Sequence, residues 1–180
     1  AGDVPNGVNV EAGMTITTTG GGTSESIAYA ANAGAAEIAS AINSSAANVG
    51  ITATASNSAT LSAVSAAGTI SFNLAGQDGV ASSAISAVLT DSNDLSSLVD
   101  AVNGASATTG VTAAFTTAGD RSSITLSNSD GADISVDTYA SDAGAAETVS
   151  FGGTTLTEAV LVSAVKVGTV SVASTQGQIS

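Results

Sequence analysis

Residues 41–55 read AINSSAANVGITATA, and sixty positions later residues 101–115 read AVNGASATTGVTAAF. A chain that repeats at a fixed offset is built from one supersecondary unit used twice. The correspondence reaches beyond the quoted stretch. Ile38 aligns with Leu98, Ile42 with Val102, Asn43 with Asn103 and Gly50 with Gly110. Whatever holds the first unit together should therefore have a counterpart in the second.

Each copy carries one helical stripe among runs of period two. Leu95, Leu98, Val99 and Val102 fall at i, i+3, i+4 and i+7, the stripe of an amphipathic helix over 93–104. Asp91, Ser92 and Asp94 are N-cap candidates, and Asn103-Gly104 is the expected stop. AAEIASAIN (35–43) repeats the pattern through Ile38 and Ile42. The period then becomes two: VGITATAS (49–56) and TGVTAAFT (109–116) alternate as strands. Turns are expected at Asn57-Ser58 and Ala118-Gly119-Asp120, followed by strands over 59–65 and 122–128. Upstream runs 14–19 and 26–30 match 68–74 and 85–90, while GGG at 20–22, Gly76, Gly79 and Gly152-Gly153 read as turns or bulges. Further strands are expected at 132–138, 147–151, 154–168 and 168–174, with 158–165 also compatible with helix.

The fold class expected is α+β, mainly antiparallel β with two short helices, as a duplicated ββαββ unit. The expected division is 1–66 for the first unit with its N-terminal lead-in, 67–139 for the second, and 140–180 for a return segment. Ile38/Ile42 and Leu95/Leu98/Val99/Val102 should face Ile51, Ile70, Val111, Phe115, Ile124 and Leu126. With 3% aromatic residues and no Trp, the core must be made of aliphatic and small side chains. Thin packed layers suit that material.

Composition removes whole classes of function. The net charge is −13, and Arg121 and Lys166 are the sole cations. Nucleic acids and anionic membrane surfaces both require basic patches, so neither is an expected partner. No run approaches the ~18 apolar residues of a membrane span. Without His or Cys there is no Ser-His or Cys-His catalytic pair and no zinc ligand set of the usual kind. Lys166 lacks a phosphate-loop context. Paired carboxylates could in principle cleave glycosides, but Tyr29, Tyr139, Phe72, Phe115 and Phe151 are few for a sugar platform, and Phe72 and Phe115 read as core.

Two acidic clusters merit weighing, DSND (91–94) and Asp130, Gly131, Asp133 and Asp137 within SNSDGADISVD (127–137). Neither completes a calcium loop. A helix cap and a β-turn account for them better. Asn43-Ser44-Ser45 is a formal N-glycosylation triplet. The expectation is no catalytic, cofactor-binding or metal residues, and no cofactor.

The segment LVDAVNGASATTGVTAAFTTAGDRSSITLSNSDGADISV (98–136), with its weaker copy IASAINSSAANVGITATASNSATLSAVSAAGTISF (38–72), resembles the repeat of the outer, variable region of bacterial flagellins. KVGTVSVASTQGQIS (166–180) is similar to the junction where flagellins return to their helical core. Related repeats occur in hook-associated proteins. The resemblance implies a structural, non-enzymatic domain exposed on the extracellular flagellar filament. Its partners would be other flagellin subunits, polymerised through helices outside this chain, with O-linked glycans on surface Ser and Thr. The chain opens on Ala1 rather than Met and is read as an excised or processed piece. A rival reading is an adhesin or surface-layer module that binds a glycan or protein.

Overall fold

The computed structural model describes residues 6–76, 82–144, 146–175 and 177–179. Gly79, expected in a turn, lies outside the described residues. The chain is α+β and mostly antiparallel β. β1 (Glu11–Met14) and β2 (Ile27–Tyr29) pair, and α1 (Ala35–Ala46), a 3-10 turn (Ala47–Val49) and β3 (Ile51–Ser62) follow. The second copy runs β4 (Gly68–Ala75), β5 (Ser83–Leu89), α2 (Ser96–Gly104), a short α3 (Ser106–Thr109), β6 (Thr112–Thr117) and β7 (Asp120–Asn128). The rest is β8 (Ile134–Ser141), β9 (Thr148–Phe151), β10 (Thr154–Thr157), β11 (Ala164–Lys166) and β12 (Thr169–Ser174).

Three antiparallel sheets result. β1 and β2 form one, β11-β8-β4-β5 the second, and β10-β9-β3-β7-β6 the third, with β12 also paired to β3. The sixty-residue offset survives in atomic detail. Asn43 Nδ2 donates to the Ala53 carbonyl at 2.8 Å, and its Oδ1 accepts the Ala53 N–H at 2.7 Å. Asn103 does the same to Ala113, at 3.0 and 2.8 Å. Each asparagine thus stands in for a strand, satisfying both polar groups of one residue on the strand that follows its helix.

Asn103 is thus a clamp as well as part of the expected stop, since α2 ends at Gly104, while α1 runs past Asn43 to Ala46. In both copies a further short turn, to Val49 or to Thr109, extends the path. It ends at Gly50 (φ 69°) and Gly110 (φ 68°), where the left-handed conformation favours glycine. The residue after each glycine, Ile51 or Val111, is fully buried. At the start of α2, Leu95 occupies the cap position, and Asp94 Oδ1 accepts the Ser96 N–H at 3.0 Å.

The copies diverge after the helix. In the second, Ala118 and Gly119 close the expected hairpin between β6 and β7. In the first, the turn expected at Asn57-Ser58 is absent, and β3 runs unbroken for 12 residues. The inward alternation Ile51, Ala53, Ala55, Asn57, Ala59, Leu61 continues through the supposed turn. Neither Asn57 nor Ser58 has the glycine partner that a tight two-residue hairpin prefers. β12 pairs residues 51–56 of β3 and β7 pairs residues 57–62. The expected first hairpin is thus replaced by strands from later in the chain.

Consequently there are two cores. Ile16, Ile27, Ala39, Ile42, Ala46, Ile51 and Ala53 form the smaller, with Ile38 at its margin. The larger joins Leu95, Leu98 and Val102 to Ile70, Phe72, Val111, Ile124, Leu126 and Phe151, with Val99 and Phe115 partly buried against it. Of the six expected partners, only Ile51 faces α1; the other five belong with α2. Between the cores β3 carries buried Asn57, whose Nδ2 donates to the carbonyls of Ala132 (2.9 Å) and Lys166 (2.6 Å). Gly131 and Gly168 meet at the same junction, where a Cβ on Gly168 would lie 2.2 Å from the Gly131 carbonyl oxygen.

Other expectations shift at their margins. The run 14–19 forms strand only to Met14, with isolated bridges at Thr17 and Thr18, because the chain reverses tightly through Gly21. The stretch 154–168, read mainly as strand, holds β10 and β11 with a turn at 158–160 between them, where Ala159 has φ 60°; the helix alternative for 158–165 does not form.

Replacing Asn103 with Ala removes two hydrogen bonds and should cost about 1–3 kcal/mol, at ~0.5–1.5 each. Asn103→Asp should cost at least as much, since a carboxylate accepts the Ala113 N–H but faces its carbonyl without a proton to donate. Urea unfolding of both variants at neutral pH checks this; Asp restoring parental stability would contradict the two-way clamp.

Candidate functional site

The acidic residues singled out in the sequence do not converge. Asp91 Oδ1 accepts the Asn93 N–H at 2.8 Å, and Asp94 Oδ1 takes both the N–H and hydroxyl of Ser96. Those bonds hold the Asp94 carboxyl below its ordinary range, with the Arg121 guanidinium 3.6 Å away adding to the effect. Arg121 also donates to Ser96 Oγ at 2.9 Å and lies 5.8 Å from the centre of the Phe115 ring. Asp94 and Arg121 thus fasten the start of α2 to β7.

Asp133 is buried, accepting the Gly168 N–H at 3.0 Å and Asn6 Nδ2 at 2.5 Å. It ties an N-terminal residue to the return segment. Asp137 accepts the Thr138 N–H at 2.8 Å and the Ser163 hydroxyl. Asp130 sits on an exposed turn whose N–H is held by Asn128 Oδ1 at 3.0 Å. Each carboxylate does local structural service. Among the described residues no group of three or more His, Cys, Asp or Glu side chains could hold a metal ion.

The N-glycosylation triplet is occupied by structure. A glycan on Asn43 Nδ2 would need the atom that donates to Ala53. Ser44 and Ser45 hydroxyls donate to the carbonyls of Ser40 (2.9 Å) and Ser26 (3.2 Å). Lys166 contributes its carbonyl to Asn57, and its side chain lies beside Gly152. Phe72, Tyr139 and Phe151 are buried in the larger core. Phe115 and Tyr29 are partly buried against the cores, and none forms an open platform.

What sequence reasoning missed is a surface that appears only when the strands are registered. Outward positions of β3 are Thr52, Thr54, Ser56, Ser58, Thr60 and Ser62. Across from them stand Ser123, Thr125 and Ser127 of β7, Thr169, Ser171 and Ala173 of β12, and Ser150 of β9. The outer face of the largest sheet is therefore a field of hydroxyls, without a charge or a ring at any of these paired positions. A shallow recess of ≈ 330 Å³ interrupts it, lined among others by Ser56, Ser58, Thr112 and Ser127. These groups can form hydrogen bonds, but they include no acid, base or activated nucleophile. The alternation that produced this face was visible in the sequence; the partners of β3 were not.

Comparison with known proteins bears on a part of the chain. Residues 14–67 match the family described as the flagellin hook IN motif. The likeness to that motif belongs to this segment alone. The match covers less than a third of the 180 residues. Its bounds run from the end of β1 to just beyond β3, so they include α1 and the first asparagine clamp. Among solved structures, the chain is similar to the D1-D2-D3 domains of the flagellar cap protein FliD from Escherichia coli, at 11% identity and a TM-score of 0.30. That likeness covers 71% of this chain and 56% of the other, so the chain spans little more than half of that structure's length. The D2-D3 domains of the same protein give 11% identity and a TM-score of 0.30, over 69% of this chain and 94% of theirs. These likenesses are remote, and the functional reading rests on the motif match instead. No curated protein matches the chain. Among the described residues no helix is long and apolar enough to cross a membrane.

One ionisable group stands apart. Tyr139 is 2% exposed, and its hydroxyl has no hydrogen-bond partner among the described residues. Burial pushes its ionisation up to about 12, with the Glu147 and Glu158 carboxylates adding to the effect. An unfolded tyrosine ionises near ~10. The folded protein thus keeps the proton longer. Its stabilising contribution is complete below about pH 10 and is lost as pH climbs towards 12. In metal-free buffer the urea midpoint should fall across that window, and Tyr139→Phe should flatten the fall. At neutral pH that variant should be no less stable than the parent, because it removes a buried hydroxyl that has no partner. An unchanged alkaline loss in the variant would contradict this assignment.

Proposed function

We propose that this chain is the surface-exposed outer domain of a flagellin subunit in the extracellular filament of the bacterial flagellum. The observation that carries the reading is the match of residues 14–67 to the flagellin hook IN motif. A second unit sixty residues on, with the same asparagine clamp, supports it. The role is structural and non-enzymatic: a stiff β-rich outer body that shields the filament and varies its surface. Its partners are other flagellin subunits, joined through helices outside this chain.

The hydroxyl field on the outer sheet suits this role. It is polar without being basic, and with a net charge of −13 neighbouring copies repel rather than clump at low salt. It offers many Ser and Thr oxygens for O-linked glycans at little cost to the fold, since they lie on the side of the sheet away from the cores. The absence of cysteine leaves no thiol for crosslinking between closely packed copies.

Immunogold labelling of intact cells with antibodies raised against this chain tests the assignment. Labelling along the whole filament is the expected result. Label confined to the tip or to the hook–filament junction would place the chain in a cap or hook-associated protein. Label on the cell surface away from flagella would favour the adhesin or surface-layer reading.

A further inference from the structure

We propose that Glu147, Glu158 and the Tyr139 hydroxyl form a binding site for a hard divalent cation of the calcium class. The site lies where the segment after β10 meets β8, just beyond the acidic stretch that ends at Asp137. Two separate turns supply its carboxylates: Glu147 immediately precedes β9, and Glu158 directly follows β10. The Glu158 N–H donates to the Glu147 carbonyl at 3.0 Å, which fixes the two residues side by side. The Tyr139 N–H donates to the Val162 carbonyl at 2.9 Å, and this draws β8 under the turn that carries Glu158.

The polar atoms here are left over in a specific way. Glu158 Oε2 is buried with no hydrogen-bond partner among the described residues, and so is the Tyr139 hydroxyl, whose residue is 2% exposed. Both carboxylates act electrostatically on that phenol. Glu147 is held by a hydrogen bond from the Ser65 hydroxyl to Oε2, and Ser65 Oγ in turn accepts the Thr148 N–H at 2.8 Å. One carboxylate is thus positioned, and the other, on a half-buried residue, has one oxygen buried without a partner among the described residues. A buried carboxylate oxygen with no donor is costly and calls for a water or an ion. The chain's two basic residues do not fill the need. Arg121 pairs with Asp94, and the side chain of Lys166 lies along Gly152.

The donor set is all oxygen: two carboxylates and a phenol. Oxygen donors select hard cations, and an irregular set completed by water suits calcium better than the strict octahedron of magnesium. Two carboxylates, where tight sites have three or more, place the affinity in the weak range, about 0.1–1 mM. The cation would bridge the turn after β10 to β8 and so brace the end of the larger core.

Terbium offers a direct probe. It takes calcium sites, and its emission is sensitised by a nearby aromatic ring. This chain has no Trp and two tyrosines, Tyr29 and Tyr139. Excitation of tyrosine in the full chain should give sensitised terbium emission that excess calcium displaces and equal magnesium displaces poorly. Tyr139→Phe should remove most of that emission, whereas Tyr29→Phe should keep it. Independently, about 5 mM calcium should raise the melting temperature of the parent over that in chelator, by mass action on the folded state. Glu158→Gln and Glu147→Gln should each weaken calcium at least tenfold and lose most of the rise. The proposal is overturned if calcium leaves the melting temperature unchanged, if Glu158→Gln keeps the full rise, or if the emission survives Tyr139→Phe.

Discussion

Two peptide groups, those of Ala53 and Ala113, point away from the strands that pair with their residues, and two asparagines supply what a further strand would have supplied. A strand edge left open is a liability, because its N–H and C=O groups seek other partners. Asn43 and Asn103 close it from within, using the one neutral side chain of that length that both donates and accepts. The same bonds fix the distance and angle between each helix and its sheet. The stripe on the helix then has no choice about which strand face it covers. Gly50 and Gly110 complete the device by turning the chain sharply from helical path into buried strand.

From this shared element the two copies depart in an instructive way. The second closes its own hairpin, so β6, β7 and α2 enclose the larger core with β4, β5 and β8. The first has no return strand. Its long β3 is completed by β12 over one half and by β7 over the other. That arrangement threads the strand through both cores, and polar Asn57 marks the crossing. Asn57, Asn128, Asp133 and the Gly131–Gly168 contact make this crossing a hydrogen-bonded junction rather than a greasy one. Such junctions demand accurate geometry, because a buried polar group without a partner is costly, and Asn57 Oδ1 has none among the described residues.

The local elements were legible before the structure. The stripe Leu95, Leu98, Val102 and the alternation of 109–116 and 122–128 can each be satisfied by one secondary structure alone. The offset of sixty showed that Asn43 and Asn103 are equivalent, although they read as stop signals and their role as clamps needs the strand alongside. Asn57-Ser58 misled because a turn-forming residue outweighed an unbroken inward alternation. The division into two cores was hidden for a related reason. It depends on β12, more than a hundred residues from its partner along the chain, and no local pattern encodes that pairing. The hydroxyl field is a product of the same registers, and the Tyr139–Glu147–Glu158 group arises from turns that the sequence left undecided.

A scaffold of this kind puts its chemistry into holding shape. The carboxylates at 91, 94, 133 and 137 cap, turn and tie, and the outward face of the main sheet is dominated by hydroxyls. That fits the structural role proposed above. The claim on which the account turns is that each asparagine replaces a missing strand. Native-state hydrogen exchange at the Ala53 and Ala113 amides tests it most directly. Both amides should be protected in the parent, Ala53 alone should lose protection in Asn43→Ala, and Ala113 alone in Asn103→Ala. Rapid exchange of either amide in the parent, or protection that persists without its asparagine, would contradict it.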